Sequence, residues 1–172
     1  VLAAPTAGAA YMDIPPGSAL SGEVEKAVRY GLMEGYSASR FGYGDAITRA
    51  QFVTVLGRMM EWPASPAEDR ITPAMKLPEK LSDIYRSAIN YAVKNDVADD
   101  NVSFRPNDRI TRAEMSEMLV RSLGLKSAAS LAEKGISLPF SDVFDRRGYI
   151  AVAYTIGMTN GTSANTFSPN SS

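Results

Sequence analysis

Two arginines stand where an α-helix disfavours a cation. Arg49 and Arg112 each follow a threonine suited to a helix N-cap, in Ile47-Thr48-Arg49-Ala50-Gln51 and Ile110-Thr111-Arg112-Ala113-Glu114. A helix N-terminus carries about half a positive charge, so a cation at the first position is unfavourable by about 0.3–1 kcal/mol. Arg58 and Arg121, further along the same segments, fall toward the C-terminal end, where a cation is favoured. What the earlier pair offers is a planar guanidinium fork beside backbone N–H groups that lack a partner within the helix. Together these make a site for a carboxylate or a phosphate. The alternatives are a solvated arginine lying flat on the surface and an internal pairing with a nearby acid such as Asp45 or Asp108.

Other chemistries are poorly provided for. Cysteine and histidine are absent, which removes disulfides, thiolates, imidazole bases and nearly all zinc, copper or haem ligation. No cofactor or metal is expected. Asp99 and Asp100 are an acid pair, and glycoside hydrolysis needs two carboxylates. They have no counterpart in the repeats described below, and Asp99-Asp100-Asn101 reads as a solvated loop without the glycine and closing glutamate of an EF-hand. Lys plus Arg (18) nearly cancels Asp plus Glu (19), so no general pull toward nucleic acid or acidic lipid is expected. No run of about 18 apolar residues is present, so no membrane insertion is expected. No catalytic role is expected of the Asp99–Asp100 pair.

The elements that hold the arginines repeat. Phe41, Phe104 and Phe167 fall at equal intervals along the chain. Tyr30, Tyr91 and Tyr154 close similar segments ahead of them. Each unit reads as a short helix, a loop, a turn at the Phe landmark and a second helix, giving an all-α fold of tandem helix-loop-helix repeats. The first helix ends near Gly31 or Gly157, where glycine suits a left-handed C-cap. The turn is Phe104-Arg105-Pro106-Asn107 or Phe167-Ser168-Pro169-Asn170, with Phe41-Gly42-Tyr43-Gly44 as a looser version. Thr48 with Gln51, and Thr111 with Glu114, have the spacing of capping boxes that start the second helices. Beyond them Phe52, Val55, Leu56, Met59 and Met60, and at matching places in the next unit Met115, Met118, Leu119 and Leu123, form one apolar stripe per helix, suited to a helical core. Asp13, Asp83 and Asp142, each after an apolar or small residue, read as caps or turn residues for the leading helices.

The expected boundaries are a linker or signal remnant at 1–10, repeats at 11–62 and 81–125, linkers at 63–80 and 126–139, and a third unit at 140–172. By the same phase the third unit's capping threonine would fall at 174, so its second helix lies outside the sequence. Either a longer chain or a neighbouring copy would supply it.

Ile-Thr-Arg-Ala-Glu at 110–114 and its variant at 47–51, the Phe-x-Pro-Asn turns, the Phe140-Ser141-Asp142-Val143 opening and the Gly31–Gly35 and Gly157–Gly161 loops together resemble the S-layer homology family. The resemblance runs over residues 11 to 172. It implies a pseudo-threefold arrangement and an exported protein at the cell surface, in the wall or S-layer. It also implies grooves that bind secondary cell wall polymer, often through a pyruvylated N-acetylmannosamine, with the motif arginine, here Arg49 and Arg112, among the contacts. A pyruvate ketal carries a carboxylate, the group the arginines call for. Gly31, Gly35, Gly157 and Gly161 would let the backbone approach the sugar, and Tyr36 and Tyr149 would pack on its apolar face. Unit two departs from the pattern, with Lys94 and Ala98 in place of the loop glycines. Peptidoglycan binding and S-layer self-assembly are the competing readings.

Overall fold

The computed structural model describes residues 11–64, 77, 80–99 and 104–172. Those residues are all-α: α1 (Ser21–Arg29), α2 (Arg49–Met59), α3 (Asp83–Lys94), α4 (Arg112–Ser122), α5 (Lys126–Gly135) and α6 (Arg147–Thr155). They divide into two bodies, Val1–Ala46 and Ile47–Ser172. The expected linker at 1–10, most of that at 63–80, and Asp100 with Asn101 lie outside the described residues. No described helix is long and apolar enough to cross a membrane.

In the first body α1 stops at Arg29, and Gly31 takes the left-handed conformation that ends it, with φ at 68°. The turn near Phe41 is held by one carboxylate. Asp13 accepts the N–H groups of Phe41, Gly42 and Tyr43 at 2.9, 2.7 and 2.9 Å. Tyr11 packs on Phe41 with ring centroids 5.4 Å apart. Asp13 therefore ties down a turn far along the chain and does not cap its own helix. Asp142 does the same for Phe167 and Ser168, whereas Asp83 is the first residue of α3, behind an N-cap at Ser82.

The second body has two apolar clusters. One joins Ala50, Val53 and Leu56 of α2 to Ile89 and Ala92 of α3, with Phe104, Ile110 and Met118. The other joins Ala113 and Val120 of α4 to Ile150–Ala153 of α6, with Phe140 and Phe167. The second helix of one repeat thus packs on the first helix of the next, α2 on α3 and α4 on α6. The apolar stripe of a repeat is buried by its successor.

The segment 126–139, read as a linker, holds α5. Its sequence Lys-Ser-Ala-Ala-Ser-Leu-Ala-Glu-Lys-Gly has good helix formers but buries only Ala129 and Ala132, so no stripe of large residues announces it. Small residues suit it because α5 meets α6 backbone to backbone. A β-carbon on Gly148 would lie 2.0 Å from the Ala129 carbonyl oxygen. Glu133 accepts the Gly148 N–H at 2.6 Å and so serves the α6 N-terminus, whose N-cap Arg146 makes no side-chain cap.

The Ala129 oxygen is backbone and cannot swing aside, so Gly148→Ala must part the two helices. The expected loss is about 1–3 kcal/mol, the range for overpacking a close-fitting site. Urea unfolding of the variant against the parent chain checks it.

Candidate functional site

The two arginines sit in equivalent contacts, each made with the following repeat. Thr48 accepts Gln51 N–H while Gln51 accepts Thr48 N–H, and Thr111 and Glu114 do likewise, so both capping boxes are formed. The next N–H groups go to carbonyls of the next unit's turn. Arg49 and Ala50 donate to Asp108 and Pro106 at 2.9 and 3.0 Å, and Arg112 and Ala113 to Ser171 and Pro169 at 2.9 and 3.0 Å. Each Nε donates to the Phe landmark of the next unit, Arg49 to Phe104 O at 2.6 Å and Arg112 to Phe167 O at 2.9 Å. Each guanidinium also lies over that ring, 5.0 and 4.6 Å from the centroid. The expectation of an open anion site at the helix N-terminus is thereby corrected. Its backbone donors are already used by the turn, and the cation is stabilised by an aromatic face and carbonyl oxygens.

The turn itself requires a left-handed residue directly after the Phe. Arg105 and Ser168 take φ of 51° and 60°, and Gly42 takes 97°. The non-glycine residues hold a conformation costing about 1–2 kcal/mol, which the helix-to-turn hydrogen bonds offset.

Beyond these shared contacts the arginines differ. Arg49 is 7% exposed, and its Nη1 meets the Glu114 carboxylate. Burial lowers the Arg49 pKa and the charge of Glu114 offsets part of that. Burial pushes Glu114 up, but the Thr111 N–H and the Arg49 charge outweigh it and hold the carboxyl below its ordinary value. The acid that takes Arg49 is thus Glu114, and neither Asp45 nor Asp108. Asp45 pairs with Arg40 and Asp108 with Arg105. Arg112 is half-buried, and its Nη2 donates to the Asn160 carbonyl in the Gly157–Gly161 loop. Among the described residues no carboxylate pairs with it.

Arg49 and Glu114 line a recess of about 250 Å³ together with Glu117, Arg121 and Arg146. Arg121 donates to Glu117, Asp96 and Asp99. Burial works against its charge, but Asp99 and Asp96 outweigh it and raise its pKa. Asp99, though exposed, is thus one arm of an ion network around Arg121. Glu117 also holds Arg146.

Gly35 and Gly161 lie against neighbouring atoms, whereas a β-carbon on Gly31 or Gly157 would meet nothing within 4 Å. A β-carbon on Gly35 would lie 2.7 Å from both Tyr11 Cε1 and Arg40 O, and one on Gly161 would lie 2.5 Å from Phe140 Cε1 and 2.4 Å from Ser163 O. The side of each glycine that lacks a β-carbon faces its own unit's aromatic ring and a backbone oxygen. In unit two the left-handed position after the helix is Asp96, with φ at 58°, and Lys94 is still helical. A fixed repeat period misplaces it because α3 runs longer than its counterparts. Tyr36 is exposed beside Gly42 and under Arg40, 5.2 Å from its ring centroid. Tyr149 packs against the α4–α6 core near Arg121 and Glu117, and burial raises its pKa. Of the residues singled out from the sequence, Arg112 and Gly157–Gly161 come together, while Arg49 meets Phe104 and Glu114. Gly31, Gly35 and Tyr36 belong to the first body.

Sequence reasoning missed the aromatic pair Trp62 and Tyr91, stacked with centroids 4.8 Å apart. They border an apolar recess of about 450 Å³, and the indole lies close against Gly57, whose β-carbon would be 2.9 Å from Trp62 Cε3. A helix-interior glycine ahead of the chain's single tryptophan was the available signal.

Residues 10–53 and 80–116 match the family described as the S-layer homology domain. The chain is 28% identical over 143 residues to an amylopullulanase of Thermoanaerobacterium thermosulfurigenes, covering 80% of this chain and 7% of that protein. It is 26% identical over 144 residues to exoglucanase XynX of Acetivibrio thermocellus, covering 80% and 13%. It is 29% identical over 131 residues to a surface layer protein of Brevibacillus choshinensis, covering 70% and 12%. The chain spans between 7% and 13% of the length of the curated relatives it matches.

Arg49→Ala leaves the Glu114 charge largely buried without its main partner. Stability should fall by about 3 kcal/mol, and adding Glu114→Gln should recover part of it, measured as a double-mutant cycle in urea. A pH effect is expected in the first body. The Phe41 N–H, with those of Tyr43 and Gly42, holds the Asp13 carboxyl down at about 2, against an ordinary value of 3.8. A depressed carboxylate stabilises the folded turn above its ordinary value and loses that contribution as pH falls through about 2. The Phe41, Gly42 and Tyr43 amide signals should therefore shift together below pH 3.8, and Asp13→Asn should abolish the titration.

Proposed function

Residues 10–53 and 80–116 of this chain belong to the S-layer homology family, and from that premise we propose that it anchors a larger protein by binding secondary cell wall polysaccharide. Such repeats belong to proteins of the cell surface and cell wall, in keeping with the surface layer and middle cell wall proteins it resembles. The module binds and does not catalyse. The ligand group is an acidic substituent, a pyruvate ketal on an amino sugar, and Arg112 receives it. The pseudo-threefold grouping of units belongs to the same proposal.

One observation carries this reading. Arg112 lies at a half-exposed position where, among the described residues, its guanidinium meets the carbonyl oxygens of Phe167 and Asn160 and the Phe167 ring. A guanidinium in that condition favours a carboxylate from outside. The hydroxyls of Thr162 and Ser168, exposed and 2.8 Å apart, are next in sequence to Gly161 and Phe167 and can serve sugar oxygens.

Titration with purified pyruvylated wall polymer tests the assignment. Arg112→Ala should weaken binding by about tenfold or more, the worth of a hydrogen bond to a charged group. Polymer stripped of its ketal should bind parent and variant equally weakly. Unchanged affinity in Arg112→Ala overturns the role of Arg112. Undiminished binding to polymer-free sacculi supports the peptidoglycan reading instead, and polymer-independent growth in particle size supports self-assembly. The position equivalent to Glu114 for Arg112 is 177, so the titration is repeated on a chain extended past it.

A further inference from the structure

Asn160-Gly161 is the one asparagine–glycine pair in the chain, and a cation rests on the carbonyl between the two residues. Arg112 Nη2 donates to Asn160 O, the oxygen of the peptide group whose nitrogen belongs to Gly161. When such a nitrogen loses its proton, resonance moves much of the negative charge onto that oxygen. An adjacent positive charge favours the ionised form. The guanidinium that orders this loop therefore also makes the Gly161 nitrogen a better nucleophile.

The surroundings leave that nitrogen free to act. Among the described residues the Gly161 N–H donates no hydrogen bond, the Asn160 side-chain amide makes none, and Asn160 is exposed. Gly161 brings no β-carbon into the path of attack. Other asparagines are differently placed. The N–H after Asn107 is bonded to Arg105 O, and that after Asn170 to Ser168 O. The Asn95 amide is held by Tyr91 O, and Asn165 Oδ1 accepts from the Ser163 and Thr166 hydroxyls.

We propose that Asn160 is a site of spontaneous deamidation, promoted by Arg112, which converts the neutral loop into one carrying its own carboxylate. Solvent base takes the Gly161 amide proton, and the nitrogen attacks Asn160 Cγ. The tetrahedral adduct gains a proton from water and expels ammonia, closing a five-membered succinimide. Water then adds to either ring carbonyl, and opening leaves aspartate or isoaspartate at 160. One water enters, one ammonia leaves, and nothing is oxidised or reduced. The new carboxylate lies beside Arg112 and competes with an acidic sugar for it, a consequence that rests on the function proposed above. The modification itself does not.

The parent chain, Arg112→Gln and Arg112→Lys are incubated at mildly alkaline pH and mapped by peptide mass spectrometry, with isoaspartate scored by methyltransferase labelling. Glutamine keeps an N–H donor for the loop without the charge, and lysine keeps the charge. In the parent, acid should appear at 160 before 107 or 165. Arg112→Gln should slow it by roughly tenfold, the effect of removing an adjacent opposite charge, and Arg112→Lys should retain much of the rate. Equal rates in parent and Arg112→Gln, or faster conversion at Asn107, overturn the proposal. Asn160→Asp is then titrated with pyruvylated polymer. Weaker binding supports the competition, and unchanged binding refutes that consequence alone, since the mass readout needs no glycan.

Discussion

The contact on which the second body depends is the seating of a helix N-terminus on the turn of the following repeat. A helix start presents backbone donors that must find acceptors, and here a capping threonine takes one while carbonyls of the next repeat's turn take others. The arginine beside that cap closes the same joint from its side chain, through the Phe carbonyl and ring. A cation disfavoured by its own helix is kept because the neighbouring repeat surrounds it with acceptors. The left-handed residues Arg105 and Ser168 aim the turn carbonyls, and the carboxylate of Asp142 holds the Ser168 turn in that shape.

Around this shared joint the described neighbours of the two arginines differ. Around Arg49 the surplus positive charge is neutralised by Glu114, and the adjoining Arg121 is shared by Glu117, Asp96 and Asp99. Around Arg112 the same backbone geometry leads to a loop of small and hydroxyl residues without acids. Two joints built to one plan thus have different neighbours among the described residues.

What could be read from the sequence follows from how far apart the interacting groups are. The capping boxes are legible because Thr48 and Gln51, or Thr111 and Glu114, are close in sequence and one helix turn fixes their geometry. Gly31 and Gly157 are legible because a helix end imposes a local backbone angle. The role of Asp13, whose partners begin at Phe41, has no local signature. Nor does the pairing of Arg49 with Glu114, since Glu114 already had a local role as a capping residue and performs both. α5 escaped notice because a backbone-to-backbone contact selects alanine and glycine, which leave no stripe. Asp96 was misaligned because a constant period cannot register a lengthened helix.

The half-period offset in packing separates the unit of inheritance from the unit of folding. A fragment cut at the ends of the sequence repeat keeps a motif whole but parts α2 from α3, exposing the faces of Val53, Leu56 and Ile89 that bury one another. A fragment cut inside the repeat, between a Phe turn and the capping threonine that follows, keeps those faces covered. Shuffling of such modules that preserves stability is accordingly constrained to breakpoints in the middle of the motif.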